Sequence, residues 1–447
     1  MSLAQSQLNA AIAARAQCIR GAPADYDGLL DMIGDARYVL LGEATHGTHE
    51  FYEERARITQ RLIAEKGFTA VAVEADWPDA YRVNRYVRAE GDDHDAESAL
   101  AGFQRFPSWM WRNADVVNFV DWLRSYNDRQ APAAKAGFYG LDLYSLFTSM
   151  SEVLRYLDQV DPDAAGEARQ RYGCFDHYGD DSQQYAYAAG IGHSESCQHE
   201  VIAQLHELQQ RAADYMRQDG IAASDAFFYA QQNARLVKNA EEYYRTMFRG
   251  RISSWNLRDQ HMSDTLDALS VHLRETRGTP PRIVVWEHNS HVGDARATEI
   301  GRQGEWNVGE LSRKRYGDDA FLVGFSTYDG WVTAASDWDG PAERKQVRPA
   351  LDGSYEDVFH QTGIGNFMLP LRPAGAVREA LSEQRLERAI GVLYLPRTER
   401  QSHYFTADLP QQFDAVIHFD RTDAVQPLET TSHWDTGEAP ETFPVGL

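Results

Sequence analysis

Tyr38–Leu41 (YVLL) runs directly into Gly42-Glu43-Ala44-Thr45-His46-Gly47-Thr48-His49-Glu50. A short apolar run, then glycines and ionisable side chains, then a helical apolar pattern reads as a buried strand feeding a helix through a tight turn. The same order recurs along the chain. Residues 69–73 (TAVAV) lead into Glu74-Ala75-Asp76, residues 137–141 (GFYGL) into Asp142, and Ile283–Trp286 (IVVW) into Glu287-His288-Asn289-Ser290-His291. Further apolar runs stand at 321–325, 390–395 and 415–419. Near-continuous apolar strands between helices predict an α/β fold, a mainly parallel sheet covered by helices.

Helical periodicity fills the gaps. Phe51, Ile58 and Leu62 mark one apolar stripe, and Val116, Phe119, Val120 and Leu123 another. From residue 146 to about 275 there is almost no strand signal. Met150, Val153, Leu154 and Leu157 follow helical spacing, as do Phe228, Leu236, Tyr243 and Met247, and then Met262, Leu266, Leu269 and Leu273. The expected organisation is an N-terminal α/β half (1–145), a helical insertion (146–275), a C-terminal half completing the same sheet (276–428) and a poorly ordered tail (429–447). Within it, 172–196 and 336–354 read as loops.

If the strands are parallel, their carboxyl ends meet along one edge, where open α/β sheets bind ligands. Four such ends carry ionisable groups, and two are rich in His. In the densest, Gly42 and Gly47 permit a tight turn and Thr48 is placed to cap the next helix. Glu43 lies three residues from His46, close enough for its carboxylate to orient the imidazole as a base. His49 reads as a loop or cap residue. Arg55 falls on the apolar stripe of its helix and needs a buried anionic partner, with Glu43 or Glu74 available; a structural ion pair and a site role are both open. His46, Glu74, His288 and His291 could also ligate a divalent ion, although no metal motif is present and no cofactor is required. The string Phe106-Pro107-Ser108-Trp109-Met110-Trp111-Arg112 either lines a cleft for a bulky substrate or packs a core, and Trp255–Asp259 carries the same two readings. Asp142, Arg258 and His403 complete the candidate substrate contacts.

The chain has 67 Asp+Glu against 44 Lys+Arg, a formal net charge of -23. That field repels phosphate backbones and anionic lipid, so neither nucleic acid nor a membrane is an expected partner. No apolar run approaches the ~20 residues of a membrane span. The first twenty residues read as an amphipathic helix without a secretory apolar core, and the cytoplasm is the expected compartment. Cys18, Cys174 and Cys197 match no metal spacing and are expected as reduced thiols. There is no Walker A loop and no GxGxxG. The closest string to a GxSxG elbow, residues 192–196 (GHSES), lacks the second glycine and follows no strand. What remains is His and Glu acting on water.

The strings LLGEATHGTHEFYEERARITQRLI, VAVEADWP, FPSWMWRNADV, WNLRDQHM and WEHNSHVGD resemble, in this order, the erythromycin esterase family. GFSTYDGWVTAA and GVLYLPRTERQSHYF carry the resemblance to about Phe405, and this last part looks most like members labelled as succinoglycan biosynthesis proteins. The resemblance implies an ester hydrolase, acting on macrolide lactones in its antibiotic-resistance members. It implies His46 as general base on water, Glu43 orienting it, and Glu74, Arg55, His288 and His291 completing the site, with Arg55 or one of the last two histidines stabilising the oxyanion. Metal dependence varies among its relatives. The implied fold is shared with a haem-binding lipoprotein family, so the alternatives are a metal-dependent phosphoesterase, a haem or small-molecule binder and a structural partner in polysaccharide synthesis.

Overall fold

The computed structural model describes residues 3–178, 181–190, 196–216, 220–248, 250–372, 375–430 and 434. Most of the expected tail, and residues 192–195 of the GHSES string, lie outside them. Among the described residues eleven strands form in chain order: β1 (Gln17–Cys18), β2 (Tyr38–Leu41), β3 (Ala70–Asp76), β4 (Gly137–Asp142), β5 (Ile283–Trp286), β6 (Ala320–Ala334), β7 (Glu343–Val347), β8 (Phe367–Pro370), β9 (Arg385–Arg388), β10 (Tyr404–Ala407) and β11 (Ala415–Thr422).

The main sheet runs β1-β8-β11-β6-β2-β5-β3-β4, with β7 pairing the far part of β6. From β11 to β4 every neighbour is parallel, while β8, β1 and β7 join antiparallel. The expected α/β fold is therefore present, with antiparallel additions that periodicity did not reveal: β8 and β1 at one margin, and β7 on the far part of β6.

Period-two alternation explains the layering. Val39, Leu41, Val71, Val73, Val284 and Trp286 face one core with the helices His49–Lys66, Trp77–Val87 and Ala114–Asn127. Tyr38, Leu40, Ala70, Ala72, Ile283 and Val285 face the other, built with Leu146–Val160, Gly220–Thr246 and Arg251–Arg277. Burying each large apolar side chain contributes about 1.5–3 kcal/mol, so both faces of these strands must be covered. Every described element between β4 and β5 is helical, as the missing strand signal predicts.

Four readings are corrected. The run 390–395 is not a strand. It makes isolated parallel bridges, Ile390 to Thr45 and Leu393 to Ala335, because its apolar residues cover the loop after β2 instead of entering a ladder. Segment 172–196 contains the short helix Gly173–Tyr178 and the helix Ser182–Gly190, and 336–354 contains β7. Cys174 and Cys197 are joined as a disulfide, not held as thiols, and only Cys18 is free.

Candidate active site

The carboxyl ends of β2, β3, β4 and β5 open onto one cavity of about 1240 Å³, lined among others by His46, Glu74, Asp142, Arg258, His288, His291 and His403. Parallel pairing of these strands brings the groups together from positions far apart in sequence.

The loop after β2 is held by backbone stitching. Gly42 N–H donates to Val323 O (2.8 Å), Asn289 N–H to Glu43 O (2.8 Å) and Ile390 N–H to Ala44 O (2.8 Å). The Asn289 side chain adds a bond to Phe325 O (2.7 Å). Gly47 is needed for close approach, not for an unusual φ: a Cβ there would lie 1.8 Å from Thr333 O. Thr48 stands at the cap position, but its hydroxyl meets Thr45 and makes no cap bond.

Glu43 is buried and bridges two partners. Its Oε1 accepts from His46 Nδ1 (2.8 Å), and its Oε2 accepts from Arg55 Nη2 (2.7 Å). A carboxylate only accepts, so Nδ1 of His46 carries a proton, and in the neutral ring Nε2 is the nitrogen with the lone pair. Arg55 is only 1% exposed, and its guanidinium stacks over Tyr52 (4.5 Å) and Trp286 (5.1 Å). Tyr52 donates its hydroxyl to His46 O (2.8 Å). Neither Arg55 nor Glu43 lines the cavity, so Arg55 reaches the chemistry through Glu43, and the expectation that it contacts an oxyanion is not met.

His288 lies against His46, with ring centroids 4.8 Å apart. Its Nδ1 accepts from the Ser290 backbone N–H (3.2 Å) and sits 2.8 Å from Ser290 Oγ. Its one ring proton therefore belongs on Nε2, which is buried without a partner. Burial and the neighbouring His46 push this imidazole down to about 3, so it stays neutral.

His291 sits in a denser network. Its Nδ1 donates to Asp259 Oδ1 (2.9 Å), and Trp255 stacks on its ring at 4.5 Å. Arg258 clasps Asp142 with Nε (3.0 Å) and Nη2 (2.7 Å) and also reaches Glu74 Oε1 (2.7 Å). The other Glu74 oxygen accepts from His288 N–H (2.9 Å). Burial opposes a charge on His291, but Asp259 and Glu74 outweigh it and hold the imidazole up at about 10. A 3.0 Å approach of Arg258 Nη1 to Nε2 would suit a neutral ring instead. Three carboxylates, Glu74, Asp142 and Asp259, surround Arg258 and His291, and Glu74 Oε1 stands 3.4 Å from Nε2, a balance of charge that holds the ring in its charged form. Beside them Glu287 is buried with both oxygens unpartnered, and burial pushes its carboxyl well up towards the neutral acid.

Trp255, Arg258 and Asp259 come from one face of Arg251–Arg277, the last helix of the insertion. The insertion thus completes the site. Asp259 and Ser290 were not singled out from sequence; the signal for Asp259 was its position four residues from Trp255. Trp111 and His403 line the cavity, but His403 Nε2 is occupied by Leu395 N–H (3.0 Å). Trp109 and Arg112 do not line it: Trp109 packs in the core, and Arg112 pairs with Glu429. The four possible metal ligands do not suit a divalent ion. Arg258 already holds Glu74, His291 is donor to Asp259, and among the described residues no three His, Cys, Asp or Glu side chains are grouped to bind one. Among those residues no helix is long and apolar enough to cross a membrane.

A mainly parallel α/β sheet, crowned by helices and carrying a histidine–carboxylate pair at its edge, defines the class. The chain belongs to the erythromycin esterase family, whose profile matches residues 63–422. It is 22% identical over 416 residues to erythromycin esterase type II of Escherichia coli, covering 89% of this chain and 92% of that one. A solved succinoglycan biosynthesis protein superposes with a TM-score of 0.77 at 20% identity, over 95% of this chain and 99% of that one. An erythromycin esterase variant in its open conformation superposes at 0.67 and 16% identity, over 93% and 99%. These structural likenesses establish the fold, and family membership supports a hydrolase.

Proposed function

We propose that the chain is a carboxylic-ester hydrolase in which His46 activates water for attack on an ester or lactone carbonyl. One observation carries this reading: His46 faces the cavity with Nδ1 committed to Glu43, so that in the neutral ring Nε2 is the nitrogen free to take a proton. Nε2 takes a proton from water, and the resulting hydroxide equivalent attacks the carbonyl carbon. The unpartnered Nε2–H of neutral His288 donates to the developing oxyanion, a role commonly worth about 3 kcal/mol. His291, charged and buried, is the proton donor for the departing alkoxide. Phe106, Met110 and Trp111 give the cavity an apolar wall suited to a bulky acyl or lactone ring.

The test is a hydrolysis panel of macrolides, simple lactones and phosphate esters, each run with and without a chelator. Turnover of a carboxylic ester that chelation leaves intact is the expected result. Turnover confined to phosphate esters, and lost on chelation, would replace this reading with the metal-dependent one.

A further inference from the structure

A second cavity, of about 990 Å³, opens between the helices Gly220–Thr246 and Arg251–Arg277 and the turn at 303–306. It shares Arg251, Gln303 and Glu305 with the cavity that holds His46, so these three side chains form the wall between the two. The wall is light. Glu305 is buried and pairs with Arg251 (2.8 Å), whose own side chain is 71% exposed and can swing outward without unpacking a core. Beside it the indole N–H of Trp255 donates to Trp306 O (3.0 Å), and the Trp255 ring stacks on His291 at 4.5 Å. The second cavity thus begins one indole away from the group that protonates the departing alkoxide.

Most polar side chains around this second space are spent on one another. Asn256 donates through Nδ2 to Gly304 O (3.0 Å) and accepts from Trp306 N–H (3.0 Å). Asn239 bonds His261 Nδ1 (2.7 Å) and accepts from Lys238 Nζ (3.1 Å), and Gln260 donates to Asp264 (3.0 Å). A sugar or other polar ligand would find few free partners. What remains is apolar: Ile252 is 42% exposed, Trp306 is 39% exposed, and Leu257 lines the same space. Large apolar side chains left open together in a groove mark a ligand surface. Its continuity with the His46 cavity, across a wall on the His291 side, names the ligand. We infer that the second cavity is a subsite for the apolar tail of the ester's alcohol portion, reached across the Arg251–Glu305 wall. The substrate class is then esters of long-chain alcohols, with the acyl portion on the separate wall of Phe106, Met110 and Trp111.

The subsite rests on the ester-hydrolase reading, and two measurements separate their fates. The first is kcat/KM for propionate esters of alcohols from butyl to decyl. It should rise by about fourfold for each methylene that enters the subsite. Trp306→Ser and Ile252→Asp alter exposed side chains, and the backbone bonds of Trp306 stay in place. Each should lower the decyl-to-butyl ratio by about tenfold, the worth of roughly two buried methylenes. Methyl esters of acids of matching length should show no such dependence on either substitution. The second is calorimetric binding of 1-decanol, which needs no turnover. It should bind wild type about tenfold more tightly than either variant. Absence of all ester turnover with this binding difference intact would overturn the hydrolase alone. A decyl-to-butyl ratio unchanged in both variants, equal decanol binding by all three proteins, or a loss confined to the acyl series would overturn the subsite.

Discussion

Replacing Glu43 by Gln removes the one anion that, among the described residues, is in contact with Arg55. Both side chains are 1% exposed, and the Nε and Nη1 atoms of Arg55 are already buried without partners. Solvent cannot rescue the stranded guanidinium, and breaking a buried pair from one side costs about 3–5 kcal/mol. At about 2.1 cal/mol/K per residue, the 447-residue chain has an unfolding entropy of roughly 0.9 kcal/mol/K, which translates that cost into a Tm lowered by about 3–5 °C. Scanning calorimetry reads this directly. The same change weakens the orientation of His46, and kcat/KM should fall by roughly 10²-fold or more. Adding Arg55→Met removes the buried charge and should recover most of the stability while leaving activity low. If Glu43→Gln leaves Tm unchanged, or if the double variant regains activity together with stability, the argument that Arg55 acts through Glu43 is wrong.

Asp259→Asn should lower kcat and shift the alkaline limb of the pH–rate profile down from about 10, since Asp259 helps hold the His291 proton; an unmoved limb would show that His291 does not titrate in turnover. The Cys174–Cys197 bridge closes a separation of 23 residues, so replacing both by Ser should cost about 3 kcal/mol in the insertion, seen as a lower urea midpoint. Acid should destabilise the fold through its buried histidines. Burial holds His288 down at about 3, and His261 and His403 at about 4, against 6.5 when unfolded. Between these values the unfolded chain binds more protons, so stability falls as pH drops from about 6.5 towards 4. Burial holds Glu50 up at about 7, which acts in the opposite direction over the same window, so the test is a difference: a His261→Gln variant whose Tm falls between pH 7 and pH 4.5 as much as that of wild type would contradict that assignment.

The central parallel strands were legible because each is buried on both faces and therefore apolar throughout, and the strand ends stood out by contrast. Glu43, His46, Glu74, His288 and His291 could be named because strand polarity alone brings them to one edge. The margins were harder. β9 (RLER) carries three charges in four residues and so gives no apolar run, β8 (FMLP) is closed by a proline, and 390–395 has strand composition because it covers the His46 loop. Asp259 and Ser290 orient histidines from polar surroundings, where composition gives no contrast. Trp109 and Arg112 show the limit of reading a local string: around a short 3-10 turn neighbouring residues point in different directions, so Phe106, Pro107, Met110 and Trp111 reach the cavity while Trp109 and Arg112 do not.

The account turns on His46 as the base that activates water. Its most direct test is the turnover of one uncharged lactone by His46→Ala, beside wild type and normalised to the fraction shown folded by circular dichroism. The structure leads us to expect a rate lower by roughly 10²–10⁴-fold with an unaltered fold. A folded His46→Ala protein hydrolysing the lactone within a few-fold of wild type would contradict it.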